Sequence, residues 1–196
     1  KLLNIVMFGY PGSGRGSLGK ALADKYNLEF VATGAMLEDE IEAGTKIGKK
    51  IKELYDSGEL VPDEIVVPLI EKKIEQSKDV KGFIFKGFPR TLVQSYILDG
   101  ILKKYDSYIA KIFEIEVETL ELIKRLDKRS KTDAAMPYDK GADKIVKRLQ
   151  EHKEKTIPVI EKYKENHDVC VIDGMPEFIE VFKNLSDEIE SSFKDV

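Results

Sequence analysis

Gly9-Tyr10-Pro11-Gly12-Ser13-Gly14-Arg15-Gly16-Ser17 follows the apolar run from Leu2 to Phe8 and precedes a helical pattern that opens at Leu18. Strand, glycine-rich turn and helix in that order is the setting of a phosphate-binding loop. Successive backbone N–H groups converge on one hollow at a helix N-terminus, where the helix dipole also favours anions. Glycine, lacking a Cβ, lets the chain come that close to a polyphosphate. A glycine-rich turn that holds no ligand is the competing reading; the strand before and the helix after argue against it.

The common form of such a loop is G-x-x-x-x-G-K-[ST], with the lysine on the terminal phosphates and the hydroxyl toward magnesium. Here Gly9 and Gly14 are in place, Arg15 stands at the lysine position, and Gly16 separates it from Ser17. Arginine keeps the charge, but its planar fork is a different donor from a compact ammonium.

Around the loop, short β-rich runs alternate with longer helical patterns, which predicts an α/β protein with a parallel sheet covered by helices. Strands are expected at residues 2–8, 28–31, 82–86, 110–117 and 169–172, continuously apolar as strands buried on both faces are. Helices are expected at 15–26, 92–104, 118–128 and 176–193. Residues 34–77 carry no strand signal, only helical stretches at about 34–43, 45–56 and 62–77. The last opens on Pro62, Asp63 and Glu64, which suit a first turn. Residues 130–141 are polar, contain Pro137 and Gly141, and read as a short exposed loop. A long helical pattern runs over 142–166, and Pro158 within it is expected to kink it. No internal repeat, low-complexity tract or interdomain linker interrupts the chain.

At 196 residues the chain is one globular unit. Its net charge of −4 argues against nucleic-acid binding, which favours a marked basic excess. No run reaches the length of a membrane span and none reads as a secretory leader. Cys170 is the single cysteine, expected as a small core side chain in a reducing, cytoplasmic setting. The chain opens on Lys1 without a methionine, so a monomer or one domain of a longer chain is expected. His152 and His167 lack metal-site spacing and are read as surface or capping residues. Asp139 and Asp143 are read as helix-start residues. No cysteine cluster accompanies the loop at 130–141, so no structural zinc is expected.

Further motifs follow in order: Ala32-Thr33-Gly34-Ala35-Met36-Leu37; Gly58-Glu59-Leu60-Val61-Pro62-Asp63-Glu64; Gly87-Phe88-Pro89-Arg90-Thr91 with Gln94; Arg125 and Arg129; Lys147-Arg148-Leu149; Pro158-Val159-Ile160; and Asp173-Gly174. With the loop, they resemble the adenylate kinases and their nucleoside monophosphate kinase relatives, in the short-lid form, along nearly the whole chain. The resemblance implies a phosphate-loop fold with a five-stranded parallel sheet and a core of residues 1–33, 64–128 and 142–196. It also implies a helical nucleotide-binding insert at about 34–63, a lid at about 129–141, and reversible phosphoryl transfer from ATP to AMP, giving two ADP. Mg²⁺ would accompany ATP, with Ser17 reaching it indirectly.

Such transfer is carried by positioning and by neutralising spread negative charge. The resemblance assigns that work to Arg15, Arg90, Arg129 and Arg148. It places ATP on Gly12, Ser13, Gly14, Arg15, Gly16 and Ser17, with Arg125, Arg129 and Gly174. It places AMP on Thr33, Gly34, Glu59, Leu60, Val61, Gly87, Arg90 and Gln94, the last reading adenine.

Other positions depart from the pattern. The family's Asp and Arg after Thr-Gly are Ala35 and Glu38 here, and the aspartate that ends the third strand and helps hold hydrated magnesium is Lys86. Aligned without a gap, the lid arginine and second aspartate become Pro137 and Lys140, with Asp139 kept. Two readings stay open. One is an enzyme of weak or altered activity; the other is a non-catalytic module that binds adenine nucleotide for regulation or assembly.

Overall fold

The structure, a computed structural model, describes residues 3–193. Lys1, Leu2 and residues 194–196 lie outside the described residues, and with them the expected start of the first strand at Leu2. Five strands form, β1 (Asn4–Gly9), β2 (Glu29–Ala32), β3 (Phe83–Lys86), β4 (Ile109–Glu116) and β5 (Val169–Asp173). They pair in parallel in the order β2-β3-β1-β4-β5. Because β1 has β3 on one side and β4 on the other, the connections leave its C-terminal end in opposite directions. The crevice at that switch point is where open α/β sheets bind ligands.

Helices α1 (Arg15–Tyr26) and α9 (Phe178–Ser192) cover one face of the sheet, with Leu22, Leu185 and Ile189 packed on Ile5, Met7 and Ile84. The other face is covered by α2 (Thr33–Glu42), α3 (Lys46–Ser57), α4 (Asp63–Gln76), α5 (Leu92–Lys104) and α8 (Ile157–Asn166), gathered over Val6, Phe8, Phe83 and Phe85. The period-2 alternation along β1 and β3 thus feeds two separate cores. Each fully buried Leu, Ile or Phe contributes about 1.5–3 kcal/mol. In β4 the alternation breaks: Asn4 pairs with Ile109 and Ile5 with Lys111, one extra residue on the β4 side. This bulge lets Ile109 and Ile112, an odd number apart, face the same core.

Helix ends follow local chemistry. Thr45 caps α3 by accepting from the Gly48 N–H at 3.0 Å, and Thr91 caps α5 by accepting from the Gln94 N–H at 3.2 Å. Gly48 also sits where α3 meets α2, and a Cβ there would fall 2.0 Å from the Glu40 carbonyl oxygen.

Four expectations need correction. β5 is an edge strand, so it is not buried on both faces: Val171 is exposed and Cys170 is half-buried against the second core. The loop at 130–141 is exposed only in part. After α6 (Thr119–Ser130), residues 131–134 are exposed, but Met136 packs on the first core, and Asp139, in the 3-10 turn Pro137–Asp139, is buried. The expected kink at Pro158 is taken up one turn earlier. α7 (Ala142–Glu151) runs into a π-helical turn, His152–Thr156, in which the Ile157 N–H donates to the His152 carbonyl five residues back. Widening there accommodates a proline that cannot donate and whose ring crowds the preceding turn. The turn rolls His152 inward, so this histidine is buried rather than on the surface, its ring 4.2 Å from that of Tyr10. His167 does cap α8, edge-on to Tyr163. Among the described residues, no helix is long and apolar enough to cross a membrane.

Candidate active site

The site lies at the C-terminal edge of the sheet. β1 ends at Gly9, and the loop turns back through a hydrogen bond from the Ser13 N–H to the Tyr10 carbonyl (3.1 Å) before α1 begins at Arg15. Gly12 and Gly14 have φ of +89° and +94°, a backbone region L side chains avoid, so the loop shape depends on glycine at both. The hollow it makes is lined by Pro11, Gly12, Ser13, Gly14, Arg15, Gly16 and Ser17 and faced by Lys86, Arg125, Leu126, Arg129 and Arg148. Five cationic side chains and no carboxylate line it. With the N-terminus of α1, that is a setting for a densely charged anion.

A second cavity opens beside it, under α2 and α3. Thr33, Gly34, Glu59, Leu60, Val61, Gly87, Arg90 and Gln94 all line it, joined by Phe30, Leu37, Glu38, Tyr55, Val66 and Met136. Gly16, Lys86 and Arg148 line both cavities, so the two meet there. A third cleft runs the other way from the loop, past Ser17 to Gly174, with Arg125 on its wall. Arg125 donates through Nη2 to the Gly174 carbonyl (2.9 Å) and through Nε to Glu121 (3.1 Å). The residues assigned to the AMP side therefore gather in one hollow and those assigned to the ATP side in the adjoining one, except Gly174, which lines the third cleft.

Several of these side chains are already engaged by the protein. Gln94 is buried; its Oε1 accepts from the Arg90 N–H at 2.7 Å and its Nε2 donates to Asp63 at 2.8 Å. It holds the turn before α5 as well as facing the cavity. Thr33 Oγ1 donates to the Gly87 carbonyl at 3.0 Å, and Thr156 Oγ1 to the Arg90 carbonyl at 3.0 Å, which pins the ends of the Gly87–Arg90 segment. Glu59 turns its carboxylate outward to Lys147 at 2.7 Å, and that bond draws its pKa below the ordinary carboxylate value. Its backbone, not its charge, is what the cavity receives. Arg129 makes a two-point salt bridge to Asp139, which makes Asp139 more than a helix-start residue. Tyr55 donates to Glu38 at 3.4 Å. Tyr55 and Met136 carried no sequence signal for the site: the first reads as the apolar face of α3, and the second reaches the cavity only through the fold of a polar loop.

The electrostatics at the junction are one-sided. Lys86 ends β3, in register with Met7 of β1 and Ala32 of β2. Burial first, and then the positive charges of Arg15, Arg90, Arg148 and Arg129, pull its ammonium pKa down to about 7. His152, behind Arg15 and Arg90, is held neutral for the same reasons, its pKa lowered to about 3.

These residues do not fit a magnesium ion held by the protein. Mg²⁺ is bound through carboxylate and other oxygen ligands near a substrate's phosphates. The loop hollow offers the Ser17 hydroxyl but no acid, and an ammonium stands at the strand end. Among the described residues no three His, Cys, Asp or Glu side chains are grouped to hold a metal.

Comparison with known proteins gives a family model described as adenylate kinase, matching residues 7–168. Over nearly its whole length the chain is similar to adenylate kinases from several bacteria. It is 36% identical over 190 residues to that of Flavobacterium psychrophilum, covering 97% of this chain and all of the relative. It is also 36% identical over 193 residues to that of Azobacteroides pseudotrichonymphae, covering 98% and 100%, and 34% identical over 194 residues to that of Agrobacterium fabrum, covering 97% and 99%.

Proposed function

We propose that this chain, which belongs to the adenylate kinase family, binds ATP and AMP in the two adjoining hollows and transfers the terminal phosphoryl group between them at a reduced rate. The observation that carries this reading is the shared wall: Gly16, Lys86 and Arg148 line both cavities, so a donor phosphate in one and an acceptor phosphate in the other would meet. The triphosphate lies on Gly12, Ser13, Gly14, Arg15, Gly16 and Ser17, with Arg125 and Gly174 toward the base. AMP lies against Thr33, Gly34, Glu59, Leu60, Val61, Gly87 and Gln94, its phosphate toward Arg90.

In the transfer, an AMP phosphate oxygen bonds to the terminal phosphorus as the bridging oxygen of ADP leaves, the three equatorial oxygens carrying the negative charge. Arg15, Arg90, Arg129 and Arg148 offset that charge in a site partly shut from water, where fixed charges act most strongly. Residues about 34–63 and 129–141 serve as the closing insert and lid, and a cytoplasmic location belongs to the same reading.

The reduced rate follows from Glu38. A carboxylate on the wall of the AMP cavity repels a monophosphate, and at about 4 Å with an effective dielectric near 20 a pair of unit charges is worth about 4 kcal/mol. Glu38 and Lys86 also favour a second reading, a nucleotide-binding module without turnover that serves regulation or assembly. A coupled ADP-formation assay at saturating nucleotides separates the two. Turnover in the ordinary enzyme range of about 1–10³ per second excludes the module, and a kcat/KM for AMP of about 10⁴–10⁸ per molar per second shows the rate undiminished. Saturable binding without turnover excludes the enzyme, and absence of nucleotide binding excludes both.

A further inference from the structure

The misfit with magnesium bears on the form in which the nucleotide arrives. Resting on the proposal that the loop binds ATP, we infer that its hollow takes the nucleotide's polyphosphate free of divalent metal, with the Lys86 ammonium as the resident counter-charge against the phosphate chain. Lys86 and Arg148 stand on the wall that the two cavities share, beside Gly16 in the first turn of α1. The charges that act most on Lys86 are those of four arginines, 15, 90, 148 and 129, all of its own sign. Asp139 already offsets Arg129, and a polyanion that enters beside Lys86 meets charge of the opposite sign.

A metal-free triphosphate brings its full charge to that cluster. A magnesium complex arrives with part of that charge cancelled and sets a second cation against Lys86, where the hollow supplies no carboxylate to offset it.

Calorimetric titration of the intact chain with ATP, in excess EDTA and in excess MgCl₂ at matched ionic strength, tests the inference. The dissociation constant in EDTA is expected to equal or fall below that in magnesium. Lys86→Asp is expected to reverse the order, weakening binding in EDTA at least tenfold relative to magnesium. Lys86→Met, which adds no acid, is expected to lose affinity in EDTA at least threefold without gaining a preference for the metal. Binding by the unmodified chain that is threefold or more weaker in EDTA overturns the inference and leaves the nucleotide reading standing. Binding in neither condition overturns the nucleotide reading, and the inference falls with it.

Discussion

Arg129 and Asp139 are joined at two points, Nε to Oδ2 at 2.6 Å and Nη2 to Oδ1 at 2.7 Å, and the same carboxylate accepts the Met136 N–H at 2.9 Å. The loop after α6 is thereby folded back on the helix it leaves, and Met136 is delivered to the cavity under α2 and α3.

Removing the carboxylate with Asp139→Ala leaves a half-buried guanidinium and a backbone N–H without their acceptor. Groups stripped in this way cost about 1–3 kcal/mol. Urea denaturation should register that loss. The ATP dissociation constant should rise as well, because Arg129 is no longer aimed at the hollow. Asp139→Asn, which keeps an oxygen for Met136 or Arg129 but no charge, should fall between. Unchanged urea midpoints for both variants would mean that the salt bridge does not order the loop.

Stability should fall in mild acid because of His152. Its folded pKa is about 3, against about 6.5 for an unfolded histidine. Between those values the unfolded chain holds a proton that the folded chain refuses, so stability falls as pH drops through that window. At pH 5 the loss is about 2 kcal/mol relative to pH 7. His152→Phe keeps a ring against Tyr10 and removes the titration. The difference in unfolding free energy between the two proteins should therefore depend on pH from 7 to 4; a constant difference would show that His152 titrates normally.

The β1–loop–α1 unit was legible because its signals are local: an apolar run, glycines where φ is positive, a helical stripe. The number of strands and their places along the chain followed in the same way; their order in the sheet did not. What sequence did not reveal depends on contacts made at a distance. Val171 and Cys170 read as core because an apolar run does not say whether its strand has one neighbour or two. Gln94 reads as a residue that faces a base; its tie to Asp63, 31 positions away, exists only once α4 and α5 are packed. Burial of His152 follows from a π-helical turn whose cause, Pro158, was visible but whose position was not. Glu38 and Lys86 were legible as charge substitutions, and the structure adds the two cavities whose walls they join.

Close packing at Gly48 gives a prediction about the helical pair α2 and α3. A methyl group there would lie 2.0 Å from the Glu40 carbonyl oxygen, a backbone atom that no rotamer change can move aside. Gly48→Ala must push the two helices apart, with a cost of about 3 kcal/mol or more at the upper end of overpacking. The expected signs are a lower melting temperature and weaker AMP binding, since α2 and α3 both carry walls of the acceptor cavity. An unshifted melting curve would place the crossing elsewhere.

The last prediction concerns the proposed loss of activity. Glu38 contributes a negative charge to the proposed AMP cavity, Lys86 puts a cation at the strand end, and Arg15 supplies a planar fork in place of a compact ammonium. Each tenfold in rate corresponds to about 1.4 kcal/mol of transition-state free energy, and turning one repulsion into attraction at close range exceeds that before solvent screening. Glu38→Arg alone should therefore raise kcat/KM for AMP about tenfold or more, with little change in ATP affinity. Arg15→Lys acts on the donor side and should do little for AMP by itself, whereas Lys86→Asp alters the wall that both cavities share. The triple variant should exceed the sum of the singles, because the acceptor phosphate, the donor chain and Lys86 share one junction, and neighbouring sites are not additive. If the triple variant gains nothing in a coupled ADP assay while still binding both nucleotides, the limit lies in the lid, where Pro137 and Lys140 stand, and those two positions become the ones to change.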